Sequence, residues 1–238
     1  MIEKLVLVWE SLPLLLQGTL VTVELTVSLL LVGLVLGILV AVGQAYGPRP
    51  IAMLMSTYER FFRAMPILVL LIVLNYGIAF LADIYGWGWL RLPTFAVAVL
   101  AFGLHSSAYQ SQIFRGAIRA IKPGQLLAAR ALGMTSWQSI RYIVLPQALR
   151  LAIPGWSNEY SGVLKDTSFV FAIGVTELTR QGWQIMQRTR EVFLIFITVA
   201  LIYLALTYLG TWLLEWVERR WGVPGLTGPR LEEHGRVV

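Results

Sequence analysis

The chain has 238 residues, 57% hydrophobic and 13% charged, with a mean hydropathy of +0.71. A soluble domain carries about 25% charged residues, so the composition points away from a soluble enzyme and toward an all-α, polytopic membrane protein, in which a net charge of +6 is the basic bias of cytoplasmic loops rather than a nucleic-acid footprint. With no cysteine and two isolated histidines, His105 and His234, the chain has no disulfide framework, thiol nucleophile or Cys-based metal site, and a His-rich metal site is disfavoured.

Residues 1–17 read as an amphipathic lead-in at the membrane interface, anchored by Trp9. The start Met1-Ile2-Glu3-Lys4 lacks the basic region and small-residue cleavage site of a signal peptide, so the first span is expected to direct insertion itself. A single membrane domain is expected over 18–221, with about five spans. The first covers 18–43, with Glu24 near the outer interface and Gly33-x-x-x-Gly37 as a close helix contact within the subunit. Gly47-Pro48-Arg49-Pro50 is a turn, followed by a polar-edged helix start over 53–63 with Glu59, Arg60 and Arg63. Pro66 kinks the chain into the second span, 66–82. A short loop carries Gly86-Trp87-Gly88-Trp89, an interfacial aromatic belt. The third span covers 93–114.

Next comes the longest charge-bearing interruption, 125–146. Ala128, Ala129, Ala131 and Leu132 form a short apolar helix stripe. Gly133 ends that helix as a C′ residue, and Thr135 or Ser136 caps a second one, which Pro146 follows. Two short helices around a glycine, with Arg130 and Arg141 in water, make a knob suited to docking something soluble. The fourth span runs over 148–173, interrupted early by Pro154 and Gly155. An outer segment over 174–190 opens with Thr176 as the candidate cap, and the last span covers 192–216. The tail, 222–238, is rich in Gly, Pro and charge and is expected to be disordered.

Most of the 19 basic residues fall on one side if the N-terminus is outside. Arg49, Arg60 and Arg63, then Arg115, Arg119, Lys122, Arg130, Arg141 and Arg150, then Arg219, Arg220, Arg230 and Arg236 are all inner. The expected orientation is therefore N-out and C-in, with a cytoplasmic knob. Arg180, Arg188 and Arg190 run against the rule.

The fourth span is the polar one. Positions 158, 159, 162, 165 and 166 follow helical spacing, placing Asn158, Glu159, Lys165 and Asp166 around Gly162 on one face. Glu159 lies about 20 Å and Lys165 about 28 Å along the helix from Pro146 at 1.5 Å per residue. Charges inside a bilayer face a cavity or a partner. A zwitterionic amino acid needs an acceptor for its ammonium (Glu159 or Asp166) and a donor for its carboxylate (Lys165 or Asn158). Such a face would line a path; the alternative is that Lys165 and Asp166 only pair with neighbouring helices. Tyr109 and Gln112 sit one turn apart near the inner end of the third span. Tyr109 reads as packing, with ligand contact as the alternative, and His105 as a hydrogen-bonded structural histidine. No phosphate-binding loop, nucleophile elbow or HExxH motif occurs, so ATP chemistry is not expected on this chain.

Ala128-Ala129, Gly133 and Ile143-Val144-Leu145-Pro146 resemble the "EAA" loop of ABC-importer permeases. Ala108-Tyr109, Ile113-Phe114-Arg115-Gly116, Pro146-Gln147-Ala148-Leu149-Arg150, Asn158-Glu159, Leu164-Lys165-Asp166-Thr167-Ser168 and Glu177-Leu178-Thr179-Arg180 resemble its polar amino-acid branch, of histidine, glutamine and glutamate type. Gly18-Thr19 through Thr26, and Phe62-Arg63…Pro66, extend the likeness over nearly the whole chain. Two positions depart from the pattern. The family's glutamate before the paired alanines is Leu127, and its Ala-Tyr-x-x-Glu reads Ala108-Tyr109-Gln110-Ser111-Gln112. Each removes a carboxylate near the cytoplasmic face and leaves docking to shape.

The resemblance implies type I ABC-importer permease architecture in the cytoplasmic (inner) membrane. It implies an ATPase dimer carrying ATP and Mg, a second permease copy or paralogue, and an external amino-acid-binding protein, with no nucleic-acid partner and no cofactor on this chain. The coupling helix would lie at about 124–137, with Leu127, Ala128, Ala129, Arg130, Ala131, Leu132, Gly133 and Met134 docking the ATPase. Asn158, Glu159, Ser161, Lys165, Asp166, Thr167, Ser168, Arg63 and Tyr109 are the candidate path residues. Arg63 would be a gate or cavity lining, or an interfacial arginine beside a proline kink. The alternatives are an ion-coupled secondary transporter, which usually shows inverted repeats that are not evident here, and a helix-turn-helix over 128–142, whose flanks run into spans.

Overall fold

The computed structural model describes residues 2–221, with side chains from Val6 onward; the expected disordered tail lies outside the described residues. In chain order the helices are α1 (Ile2–Tyr46), α2 (Arg49–Ala64), α3 (Ile67–Tyr85), α4 (Thr94–Ala120), α5 (Pro123–Ala131), α6 (Ser136–Ser139), α7 (Leu145–Asp166), α8 (Leu178–Thr189) and α9 (Val192–Trp221). No strand occurs among the described residues. Val6–Tyr46, Ile67–Tyr85 and Val192–Trp221 are long and apolar enough to cross a bilayer. The expected third and fourth spans, α4 and α7, do not meet that measure. The reason is visible in α4, which buries Ser106, Ser107, Gln110 and Ser111: it is enclosed by other helices rather than by lipid.

The bundle is built on the crossing of α1 with α4. Gly33 and Gly37 make it possible. A Cβ at Gly33 would strike Gln110 Nε2, and one at Gly37 would lie 2.9 Å from Gln110 Cβ and 3.1 Å from the Ser107 carbonyl. The small-residue pair therefore works inside the subunit, as expected. Gln110 is fully buried and satisfied. Its amide donates to Leu30 O (3.3 Å) and Ser106 Oγ (3.1 Å), and its oxygen accepts from Trp156 Nε1 of α7 (2.8 Å). One side chain thus ties three helices, as a buried polar group must if it is not to cost stability.

Apolar packing falls into three clusters. Leu25, Leu29, Leu71, Phe102 and Val163 hold α1, α3, α4 and α7 together. Phe114, Ile118, Val144 and Ala148 pack the end of α4 against the start of α7. Leu15, Leu178, Ile185 and Ile195 join α1, α8 and α9.

Several boundaries differ from the expectation. The lead-in is continuous with the first span, in one 45-residue helix that carries Pro13 inside it. Gly18 marks no break; it lies where the chain entering α8 crosses, and a Cβ there would sit 2.9 Å from Leu178 Cα. Pro146 does not end the knob's second helix. α6 runs through a π-helical turn, Ile140–Val144, straight into α7, with Pro146 directly after that turn. Pro154 leaves α7 unbroken, and Gly155 receives the Ile113 side chain. α7 stops at Asp166 and gives way to a 3-10 segment, Thr167–Ile173, closed by Gly174 at φ +91. The cap of α8 is Glu177 rather than Thr176: its carboxylate accepts from the backbone of Thr179 and Arg180 (both 2.8 Å) and from the Tyr203 hydroxyl (2.9 Å). A carboxylate offers two acceptors at once, so it wins the capping position.

Candidate functional site

α4 and α7 face each other across a cavity of about 220 Å³ lined by Phe102, His105, Ser106, Tyr109, Glu159, Gly162, Val163 and Asp166. On α4, positions 102, 105, 106 and 109 share one face by helical spacing; on α7, 159, 162, 163 and 166 do the same. The Ser106 hydroxyl donates to Glu159 Oε1 at 2.6 Å. The rings of His105 and Tyr109 lie 5.0 Å apart. Gly162 leaves the cavity open, with nothing within 4 Å of where its Cβ would be. The walls thus present two carboxylates, an imidazole and two hydroxyls, and no lysine or arginine.

The arginine comes from the next layer. Arg63 of α2 lies over the Tyr109 ring, 5.1 Å from its centroid, and pairs with Glu59 at 3.4 Å. Glu59 is 4% exposed. It accepts from Gln44 of α1 (2.7 Å) and Gln112 of α4 (2.5 Å), and Arg115 lies 3.5 Å away. Burial pushes the Glu59 carboxyl up, but the two amide hydrogen bonds, the Arg115 charge and the Arg63 hydrogen bond outweigh it and hold it below the usual carboxylate value. Gln112, where the resembling family carries glutamate, is here the donor that a buried Glu59 requires.

Of the expected path residues, the structure brings Glu159, Asp166 and Tyr109 onto the cavity, with Arg63 behind Tyr109. Asn158 and Lys165 are exposed on a flank of α7 turned about 100° away. Ser161 faces α9, sharing a hydrogen bond with Thr211 (3.2 Å). Thr167 is buried and donates to Leu164 O (2.7 Å), and Ser168 is half-buried in the 3-10 segment. The sequence reading missed Ser106 as the partner of Glu159, Gln110 as the tie between helices and Glu59 as a hub. The one available signal was the polar run of the third span, in which 106, 107, 110 and 111 recur at helical spacing.

The knob is formed as expected. Gly133 has φ +78, where a side chain would be strained. Thr135 closes a capping box with Gln138: its hydroxyl accepts from Gln138 N (3.2 Å), while Gln138 Oε1 accepts from Thr135 N (2.8 Å). Ala129 is buried beneath, whereas Leu127 is 66% exposed, Leu132 83% and Trp137 63%. Leu132, Gly133, Met134, Gln138 and Tyr142 surround a shallow depression on its surface. Large apolar side chains are thus gathered on an exposed turn.

Among the described residues, no group of three His, Cys, Asp or Glu side chains could hold a metal ion. The family model "Binding-protein-dependent transport system inner membrane component" matches residues 33–223. The glutamine transport system permease protein GlnP of Escherichia coli (strain K12) is 33% identical over 213 residues, 90% of this chain and 95% of that protein. The L-cystine transport system permease protein TcyL of Bacillus subtilis (strain 168) is 34% identical over 82% of each chain. A solved structure described as "Crystal structure of an amino acid ABC transporter with histidines" shares 34% identity over 89% of this chain and 95% of that one, with a TM-score of 0.77. The MetNI methionine ABC transporter in an inward-facing conformation, 20% identical over 90% of this chain and 97% of that one, shares the fold at a TM-score of 0.69. The chain therefore belongs to the binding-protein-dependent transport system inner membrane components, the ABC-importer permeases that its motifs resemble.

Proposed function

We propose that this chain is the transmembrane permease subunit of an ATP-driven importer of polar amino acids. It would cross the membrane about five times, N-terminus outside, and take substrate from an external amino-acid-binding protein. The observation that carries this reading is the connection between the two sites. The knob's second helix runs without a break through the π-helical turn into α7, and α7 carries Glu159 and Asp166 to the cavity. About 35 Å of helix separates Ser136 from Glu159 at 1.5 Å per residue. A force on the knob would thus move the cavity wall as one body.

The chemistry of the cavity fits an amino acid. Glu159 and Asp166 would accept from an ammonium group, and His105 and Tyr109 would donate to a carboxylate, the Ser106 proton being held by Glu159. Lys165 and Asn158, on the exposed flank of α7, would line the path only where a second permease copy or paralogue closes it. A dimer of ATPase subunits, carrying ATP and Mg, would grip two knobs through Leu127, Leu132, Met134 and the exposed faces of Ala128, Arg130 and Ala131. Binding of ATP would draw the knobs together and open the cavity outward; hydrolysis would return it.

The test is reconstitution of the purified assembly in liposomes with ATP inside and a panel of labelled amino acids outside. ATP-dependent uptake that Glu159→Gln depresses, and Leu132→Asp abolishes together with ATPase binding, is the expected result. Uptake driven by an ion gradient without ATP would replace this reading with a secondary transporter.

A further inference from the structure

At one end of the bundle, between α1, α4, α7 and α9, lies a second and larger cavity of about 470 Å³. Its walls are apolar: Leu34, Phe114, Ile153, Trp156, Leu214 and Val217. The Trp156 indole spends its single donor on Gln110 (2.8 Å), so it offers this groove only carbon. The one charged lining residue is Arg150, which is exposed. Among the described residues no carboxylate lies within ion-pair distance of it. The lining comes from the C-terminal parts of α1, α4 and α9 and the N-terminal half of α7. The groove therefore opens at the depth of the knob, where Arg219 and Arg220 end α9.

We propose that this groove is a binding site for an anionic phospholipid of the cytoplasmic leaflet, with an acyl chain between α7 and α9 and the headgroup phosphate on Arg150. The inference rests on the reading of the chain as a membrane-spanning permease with a cytoplasmic knob, not on its transporting an amino acid. The volume is that of a ligand site for a largely apolar molecule with one fixed polar contact. An isolated arginine at the mouth of an apolar groove is complementary to one negative charge at the end of a hydrocarbon tail. Basic pockets between membrane helices on the cytoplasmic side bind acidic headgroups for this reason. Trp221, at the same mouth, supplies the amphipathic ring that interfaces favour.

The experiment is native mass spectrometry of the full-length chain, with the subunits that accompany it, released from nanodiscs of equal phosphatidylglycerol and phosphatidylethanolamine. The wild type should retain phosphatidylglycerol over phosphatidylethanolamine. Arg150→Gln should cut that preference about fivefold, the effect of one basic residue near an anionic headgroup. Leu214→Trp, which fills the groove from α9, should remove the retained lipid altogether, while Leu209→Ala on the exposed side of α9 should change nothing. If Leu214→Trp does not fold, Val217→Trp serves. Equal retention of the two lipids by the wild type, or retention unchanged in both Arg150→Gln and the groove-filling variant, would overturn the proposal. So would lipid appearing only after removal of residues 222–238, or only when a disulfide between Leu149→Cys residues of two copies cannot form; those results would assign the groove to the tail or to a second copy. Uptake measured on the same preparations separates the two readings, because a wild type that holds lipid but moves no amino acid refutes the transport function alone.

Discussion

Ser106 of α4 donates its hydroxyl to Glu159 of α7 at 2.6 Å, and this contact joins the helix that fills the bundle to the helix that leads from the knob. Neither residue is within 50 positions of the other. The bond orients one carboxylate toward the cavity while Asp166, two turns on, supplies the second.

Glu159→Gln keeps the shape and the bond from Ser106 but removes the charge. A substrate ammonium would then lose one charge-assisted hydrogen bond, worth at least about 1.5 kcal/mol, which is about tenfold in affinity. The expected outcome is a KM for uptake raised about tenfold with unchanged binding of the ATPase, read in the same proteoliposomes. Ser106→Ala should give a smaller rise, because Glu159 keeps its charge and loses its orientation, while Gln110 keeps Leu30 O as an acceptor.

Gly37 lies against the backbone and Cβ of α4, so it has no flexible neighbour to yield. Gly37→Ala should destabilise the bundle by about 1–3 kcal/mol, the range for overpacking, despite alanine's better helix propensity. Gly116, with nothing within 4 Å of its Cβ position, is the control, and its alanine variant should melt at or above the wild-type temperature. Thermal unfolding in detergent, followed by circular dichroism, compares the two.

Glu59 predicts an acid limit. Its folded pKa is lowered, so the ion-pair cluster stabilises the protein above the ordinary carboxylate pKa of about 4.3 and loses that contribution as pH falls through the lower folded value. The melting temperature of the wild type should fall below about pH 4.5, while that of Glu59→Gln should start lower at pH 7 and fall less. Equal acid sensitivity in both proteins would show that Glu59 does not set the acid limit.

At the knob, Gly133→Val forces a branched side chain into left-handed backbone, which costs about 1–2 kcal/mol per residue and re-aims Leu132 and Met134. Leu132→Asp leaves the backbone alone and places a charge on the exposed apolar surface. Both should reduce the yield of co-purified ATPase, Leu132→Asp without a change in melting temperature. Leu127→Glu, which restores the carboxylate of the resembling family, should leave the fold unchanged and alter the stimulation of ATPase by substrate.

The helical class, the three long apolar helices and the knob were legible because each rests on local physics. Apolar runs set α1, α3 and α9, Gly133 demanded its turn, and Thr135 with Gln138 makes a capping box within four residues. The site was legible only in part. Spacing put 158, 159, 162, 165 and 166 on one broad stripe, but a stripe does not say which edge another helix covers. α4 covers the Glu159–Asp166 edge and leaves Asn158 and Lys165 outside. The partners of Glu59 lie 15 and 53 residues away for the two amides, and no local pattern announces a contact of that range. Pro146 and Pro154 misled for a related reason: a proline removes one backbone hydrogen bond, and neither loss ends the helix, since Pro146 follows directly on the π-helical turn and α7 runs on through Pro154.

The proposed route of the substrate is the cavity between α4 and α7. Gly162 tests it most directly, since it lines the cavity and a Cβ there has nothing within 4 Å. ATP-driven uptake by Gly162→Phe, measured beside the wild type at equal expression and equal ATPase content, should be abolished while the melting temperature holds. Uptake at the wild-type rate would show that the substrate takes another route and that the carboxylates of α7 serve the fold alone.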